Sequence, residues 1–216
     1  MSVTVIKGRS GSGKSRRLTE HISSLIADPF AKVIVIVPGS LTFETEKNII
    51  QNCRVNGILG LQVFSIQRLA YAILDDTETF LTNAQKAMVC KKALAELDAP
   101  FHGVAVSPDF LSCLSALITR LKSYNQTPES LRQAKTQDSA IKQKLNDTAD
   151  IFEQYLSFCG DKYDSDDMYA LAAAKAHSAQ FLKSAHVVID GMDSYCPAVM
   201  LMIAKIIEYS SDTLAA

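Results

Sequence analysis

Neither sign of charge is in excess: 22 lysines and arginines stand against 23 aspartates and glutamates, a formal net charge of −1. Binding that rests on neutralising phosphates usually brings a basic surface, so overall electrostatics give no support for strong nucleic-acid binding, although a local basic groove is compatible with the balance. Cysteine is sparse. Cys53, Cys90, Cys113, Cys159 and Cys196 lie far apart and form no CxxC pair, which excludes a zinc ribbon and a disulfide framework. Each has apolar neighbours in sequence, so buried free thiols in a reducing cytoplasm are expected. Long hydrophobic runs are missing too. The longest, at residues 33–38 and 199–207, are too short to span a bilayer, and the apolar start breaks at Gly8, so neither a membrane span nor a signal peptide is expected. There is no low-complexity tract and no repeat. His21, His102, His177 and His186 show no HExxH-like spacing and receive no catalytic task.

What the sequence does have is 48% hydrophobic residues over 216 positions, enough to bury a core in one domain or two small ones. Residues 3–7 read as a short buried strand ended by glycine, and residues 15–26 as a helix with Leu18, Ile22, Leu25 and Ile26 at helical spacing. KVIVIV at 32–37 is a continuous β-branched run, as in a central parallel strand covered on both faces. A helix over 41–51, a strand over 61–65 and a helix over 66–74 complete a βαβαβα order, the signature of an α/β domain with a parallel sheet. Residues 83–159 carry no strand signal. They hold amphipathic helices instead, one over 108–124 behind Ser107 and Pro108, another through Leu145, Phe152 and Tyr155. HVVID at 186–190 restores the α/β character and is expected to join the first strands in one sheet. A helix follows over 197–209, with no obvious final strand after it. The expected organisation is a parallel sheet flanked by helices, formed by residues 1–80 and 161–216, with an all-helical insertion over 81–160.

One motif carries chemistry. Gly8-Arg9-Ser10-Gly11-Ser12-Gly13-Lys14-Ser15 fits G-x-x-x-x-G-K-[ST] at every required position. Glycines let backbone N–H groups converge on phosphates without Cβ clashes, and the helix that starts near Gly13 adds its positive dipole end. Lys14 places a point charge by the β- and γ-phosphates, and Ser15 supplies a hydroxyl ligand for Mg²⁺. The position between a strand and a helix fits a P-loop binding ATP with Mg²⁺. Such a site needs a second acid near the metal, and Asp190, at the end of an apolar strand, is the candidate. The next residue is Gly191, where many motors place a water-activating glutamate. Losing a general base typically costs about 10²–10⁴ in rate, so binding is expected and hydrolysis is expected to be weak. Asp193 is a shifted carboxylate nearby.

With these residues in place the chain resembles superfamily 1 helicases of the UvrD/Rep type, and more closely the N-terminal part of the AddB (RexB) family. The resemblance rests on ordered blocks: GRSGSGKS at 8–15, VPGSLTFETEK at 37–47, VFSIQRLAY at 63–71, YDSDDM at 163–168 and VVIDGMDSYCP at 187–197. The last resembles the family's motif II, where aspartate-glycine replaces aspartate-glutamate. The resemblance implies a P-loop NTPase fold with a helical insertion, a role in processing double-strand DNA ends for recombinational repair, an AddA-type helicase/nuclease partner, and DNA scanning rather than full motor work. It also implies Thr42, Ser65 and Arg68 as DNA contacts. Family members are far longer and carry a second motor-like domain and an iron–sulfur nuclease, so the chain is expected to be an N-terminal fragment. No upstream segment offers the adenine-contacting glutamine of active helicases.

Bland readings stand beside these. Thr42 and Ser65 suit helix caps and Arg68 a solvated helix face. Asp164, Asp166 and Asp167 resemble the start of a calcium loop but lack its glycine and distant glutamate. A solvated helix start is the expected reading. Arg16 and Arg17 are placed on the helix surface. Two rival functions are a small P-loop phosphotransferase, disfavoured because the insertion has only Arg120 and Arg132 for a lid, and a partner-docking module with a relic P-loop, weakened by the intact Lys14-Ser15 pair.

Overall fold

The structure is a computed structural model that describes residues 2–53, 60–75, 80–97, 107–160, 162–191 and 196–216. In chain order the elements are β1 (Ser2–Val5), α1 (Lys14–Ile26), β2 (Lys32–Ile36), α2 (Thr42–Cys53), β3 (Leu61–Phe64), α3 (Ile66–Leu74), β4 (Phe80–Leu81), α4 (Asn83–Ala95), α5 (Pro108–Ser123), α6 (Pro128–Gln133), α7 (Ser139–Cys159), β5 (Tyr163–Asp164), α8 (Met168–Lys175), β6 (Ala185–Ile189), α9 (Pro197–Tyr209) and β7 (Asp212–Ala215). The chain divides into two compact units. One comprises residues 1–76, 169–195 and 199–216, the other residues 77–168 with 196–198.

The first unit is built on a five-stranded sheet in the order β1-β7-β6-β2-β3, every neighbouring pair parallel. β2 and β6 are its centre because their β-branched runs tolerate burial on both faces; Val33 to Ile36 and Val187 to Ile189 are all buried. Leu18 and Ile22 of α1 and Ile49 of α2 cover Val33, Val35, Val37 and Val188 on one face. Parallel crossovers are right-handed, and the connections leading from β3 back to β6 and from β6 to β7 run across the sheet in the opposite sense to β1–α1–β2. They therefore place α3, α8 and α9 on the other face.

Two expectations are corrected here. The strand expected to be buried over 3–7 is an exposed edge strand over Ser2–Val5, because burial is set by position in the sheet and not by β-branched composition. The segment read as having no final strand forms β7, inserted between β1 and β6. DTLA has little intrinsic strand preference; its backbone is recruited by two ready neighbours, with Ser2↔Asp212 and His186↔Asp212 in register. The His186 side chain, given no task from sequence, meets the Asp212 carboxylate through Nδ1 at this junction.

The second unit packs α4, α5, α6 and α7 around Cys90, Leu94, Leu114, Ile118, Leu131, Phe152 and Tyr155. Its helices start on side-chain caps: Thr82 and Gln85 form a reciprocal capping box, and the Asp138 carboxylate accepts from the N–H groups of Ala140 and Ile141, each such cap worth roughly 1 kcal/mol. Among the described residues the elements within the expected 81–160 insertion are helical apart from Leu81, but the unit extends past those bounds and takes in a pair of short strands. β4 and β5 pair in parallel, Phe80↔Tyr163 and Leu81↔Asp164, an element too short to show as sequence periodicity. Burial of every thiol does not hold either: Cys90 and Cys159 are buried, Cys53 and Cys196 are partly covered, and Cys113 is exposed. Burial pushes the Cys90 thiol up to about 11, which leaves it inert. No helix among the described residues is long and apolar enough to cross a membrane.

Candidate functional site

The loop between β1 and α1 turns on glycine. Gly11 and Gly13 adopt φ of +76° and +86°, a region costly to residues with a Cβ. At Gly8 a Cβ would fall 2.4 Å from the Ser12 hydroxyl oxygen. Gly13 is the N-cap of α1, has no side-chain capping bond, and no acid follows in the first turn. The first intrahelical bond runs from the Arg17 N–H to the Gly13 carbonyl, so the N–H groups of Lys14, Ser15 and Arg16 open the helix without helical partners. An uncapped, acid-free helix start of this kind attracts anions. The Lys14 ammonium folds over the loop and donates to the carbonyls of Gly8 at 3.0 Å and Arg9 at 3.2 Å, which sets its charge on the same rim.

Asp190 follows the last residue of β6 and donates its N–H to the Ile36 carbonyl, which fixes it at the C-terminal edge of the sheet, where open α/β sheets bind ligands. Ser10, Gly11, Gly13, Lys14, Ser15 and Asp190 line one pocket of about 580 Å³, together with Arg16, Gly191 and Ala216. The structure thus brings the loop and Asp190 to one cavity. Ser15 and Asp190 line the same cavity, and a hydroxyl and a carboxylate are oxygen groups of the type that could hold Mg²⁺. Arg16, placed on the surface from sequence, lines this pocket while also pairing with Glu20 at 3.0 Å.

Gly191 has φ of +68°, while a Cβ there would meet only Pro38 at 3.5 Å. The obstacle to a side chain is therefore backbone strain rather than space. Gly191→Glu is expected to lower stability by about 1–2 kcal/mol, to the same extent as Gly191→Ala, and to leave turnover unraised. Thermal melts of both variants and a phosphate-release assay check this; a fast Gly191→Glu enzyme would show the position to be a simple vacancy for a base. Asp193 lies outside the described residues.

Thr42, Ser65 and Arg68 are not in the pocket. Thr42 opens α2 and donates to the Gly39 carbonyl at 3.1 Å. Ser65 is the N-cap of α3, its hydroxyl accepting from the Arg68 N–H at 3.3 Å. A Cβ on Gly39 would touch Ser65 Cβ at 3.7 Å, so the two segments adjoin along the C-terminal ends of β2 and β3, with the Arg68 side chain exposed.

The acidic run at 164–167 is not a solvated helix start. Asp164 is fully buried and accepts from Lys122 Nζ and the Tyr155 hydroxyl, each at 2.8 Å. Asp167 also accepts from Lys122, while Asp166 accepts from Lys86 and from the Thr119 hydroxyl. Burial, aided by the Asp164 charge, pushes the Tyr155 hydroxyl far above its usual value, which keeps it a neutral donor. No group of three or more metal-ligating side chains occurs among the described residues. Sequence reading missed this network because its lysines lie 42 to 80 positions from the carboxylates they meet.

The family described as ADDB, N-terminal, matches residues 5–216. Three relatives, each named as a subunit of an ATP-dependent helicase/deoxyribonuclease, come from Acetivibrio thermocellus, Anoxybacillus flavithermus and Listeria monocytogenes. They are 31%, 32% and 29% identical over 96%, 95% and 95% of this chain. In each case the match covers 19% of the relative, so the chain spans about a fifth of the length of the curated relatives it matches.

Proposed function

The chain belongs to the AddB N-terminal family, and from that premise we propose that it is the nucleotide-holding, helicase-like part of an AddB-type subunit of an ATP-dependent helicase/deoxyribonuclease. In this reading it is a P-loop NTPase domain of the UvrD/Rep type, acting in the cytoplasm with an AddA-type subunit on broken DNA during recombinational repair. Its task is to scan DNA rather than to drive unwinding. The observation that carries the reading is the shared pocket of the uncapped helix start, Lys14, Ser15 and Asp190.

Each residue has a role in this reading. The N–H groups at the start of α1 and the Lys14 ammonium hold the phosphates, and Ser15 and Asp190 hold Mg²⁺. Arg16, on the pocket wall, is placed to touch the rest of the nucleotide. Bound Mg²⁺-ATP would supply the phosphoanhydride bond that motors break. Gly191 offers no carboxylate to take a proton from water, so this chain holds nucleotide with little turnover. Thr42, Ser65 and Arg68, along the same sheet edge, are the proposed DNA contacts. None of them makes a bond that only a DNA role explains, and Ser65 is already used as a cap.

Calorimetric titration with Mg²⁺-ATP tests the proposal. Saturable binding is expected, weakened at least about tenfold when EDTA removes the metal, with negligible phosphate release in the presence of single-stranded DNA. Fast DNA-stimulated release would overturn the holding role. No binding at millimolar nucleotide would overturn the nucleotide assignment itself.

A further inference from the structure

Charge is unevenly spread along this chain. The formal net charge is −1, yet residues 7–17 hold Lys7, Arg9, Lys14, Arg16 and Arg17 and no acid. These positions form one connected piece of structure. Lys7 lies just past β1, Arg9 is in the glycine loop, and Lys14, Arg16 and Arg17 belong to the first turn of α1, where the Arg17 N–H bonds the Gly13 carbonyl. Lys14 and Arg16 line the pocket, and Arg16 pairs with Glu20 at 3.0 Å. Lys7, Arg9 and Arg17 are exposed, and none of the three has an acidic partner among the described residues.

Cations this close act together, because the screening length is about 8–10 Å at ordinary salt. A concave site ringed by one sign of charge concentrates ligands of the other sign and raises association rates about 10- to 1000-fold. The polar side chains described on the pocket wall, those of Ser10, Lys14, Ser15, Arg16 and Asp190, are hydroxyls, cations and a carboxylate. Groups of these types suit phosphate oxygens and a phosphate-bound metal.

We propose that this site selects its ligand by the charge of the phosphate chain and not by the base. Mg²⁺ complexes of any nucleoside triphosphate, and of inorganic tripolyphosphate, then form one class of ligand, drawn in by the field of Lys7, Arg9 and Arg17. The inference rests on the nucleotide-holding reading above and goes beyond it. Lys14 and Arg16 hold the chain of phosphates once it arrives. Lys7, Arg9 and Arg17 act at a distance and set how fast it arrives, so ionic strength regulates capture. A compact polyphosphate fits a pocket of about 580 Å³ and brings its charge to all five cations at once. A DNA strand spaces single charges along a backbone and offers Ser15 and Asp190 no metal-bound terminal phosphate.

The test is stopped-flow mixing of the chain with Mg²⁺-ATP carrying a fluorophore on the ribose. Between about 10 mM and about 1 M salt the screening length falls from about 30 Å to about 3 Å. Over that range the association rate is expected to fall about tenfold or more. Lys7→Gln combined with Arg17→Gln should slow association at least about threefold at low salt and converge with the parent at high salt. Both side chains are exposed, so the melting temperature should hold. Mg²⁺-GTP, Mg²⁺-CTP and Mg²⁺-tripolyphosphate should each displace the probe within about tenfold of the Mg²⁺-ATP concentration required, and adenosine should not. A preference for ATP beyond that margin, or association indifferent to salt and to the two substitutions, overturns the proposal and leaves the nucleotide assignment standing. Displacement by a single-stranded oligonucleotide at lower concentration than by tripolyphosphate overturns it too and gives the rim to nucleic acid. Failure of every triphosphate to bind overturns the nucleotide assignment and this inference with it.

Discussion

Lys14→Ala is expected to weaken Mg²⁺-ATP binding about 10- to 100-fold. A hydrogen bond to a charged group contributes about 1.5–3 kcal/mol, and each 1.4 kcal/mol is a factor of ten in affinity. Lys14 is partly exposed, and its bonds to the Gly8 and Arg9 carbonyls lie on the surface. Its removal should therefore leave the melting temperature nearly unchanged, so that lost binding reports lost phosphate contact rather than unfolding. Calorimetry on parent and variant, with melts of both, decides the matter. An affinity within about twofold of the parent would mean that the pocket does not use this lysine.

Lys122→Ala is expected to cost the helical unit about 3–5 kcal/mol, the penalty for stranding a buried partner charge. The Lys122 side chain is 8% exposed and that of Asp164 0%. Burial works to lower the Lys122 ammonium, but hydrogen bonds and charges from Asp164 and Asp167 outweigh it and hold it above its usual value. Burial works to raise Asp164, but the Lys122 contact outweighs it and the Tyr155 hydroxyl adds to the effect, holding the carboxyl below its usual value. A carboxyl lowered in the folded state contributes stability above its unfolded pKa, near 3.8 here, and that stability is lost as pH falls through the lower folded value. Asp167 runs the other way. Burial and the neighbouring Asp164 charge raise it, so it offsets part of the Asp164 contribution at neutral pH. Urea melts followed by helical circular dichroism should show the Lys122→Ala loss in the phase assigned by hydrogen exchange to α4, α5 and α7. Lys122→Ala combined with Asp164→Asn should recover part of it, because the fully buried charge is then no longer stranded and the Asp167 carboxylate that also loses Lys122 is partly open to solvent. A single-variant cost below about 1 kcal/mol would place the pair in the weak, solvent-screened class.

The parts of this protein legible from sequence are those encoded within a short window. The β-branched run at β2, the helical spacing of α1 and α7, the proline start of α5 and the eight-residue loop motif each carry their own signal. The loop's geometry follows from its glycines, and Asp190 was legible as an acid ending an apolar strand. The strand at Asp212–Ala215 was not, since its residues together have little strand preference and its backbone is held by partners 26 and 210 positions away in the register pairs His186↔Asp212 and Ser2↔Asp212. The Lys122–Asp164 cluster was hidden for the same reason. Aspartates in a row read as solvated until a helix from elsewhere brings an ammonium to them.

Alternation and periodicity by themselves determined the βα order, the division between sheet and helices, and the residue types that can cradle a phosphate. Those depend on backbone preference and side-chain spacing along one element. Only the tertiary structure decided which strand became the edge, which carboxylates were buried, and that Ser15 and Asp190 line one cavity. Burial and proximity belong to pairs of segments, and parallel crossovers set those pairs over distances that no local pattern records.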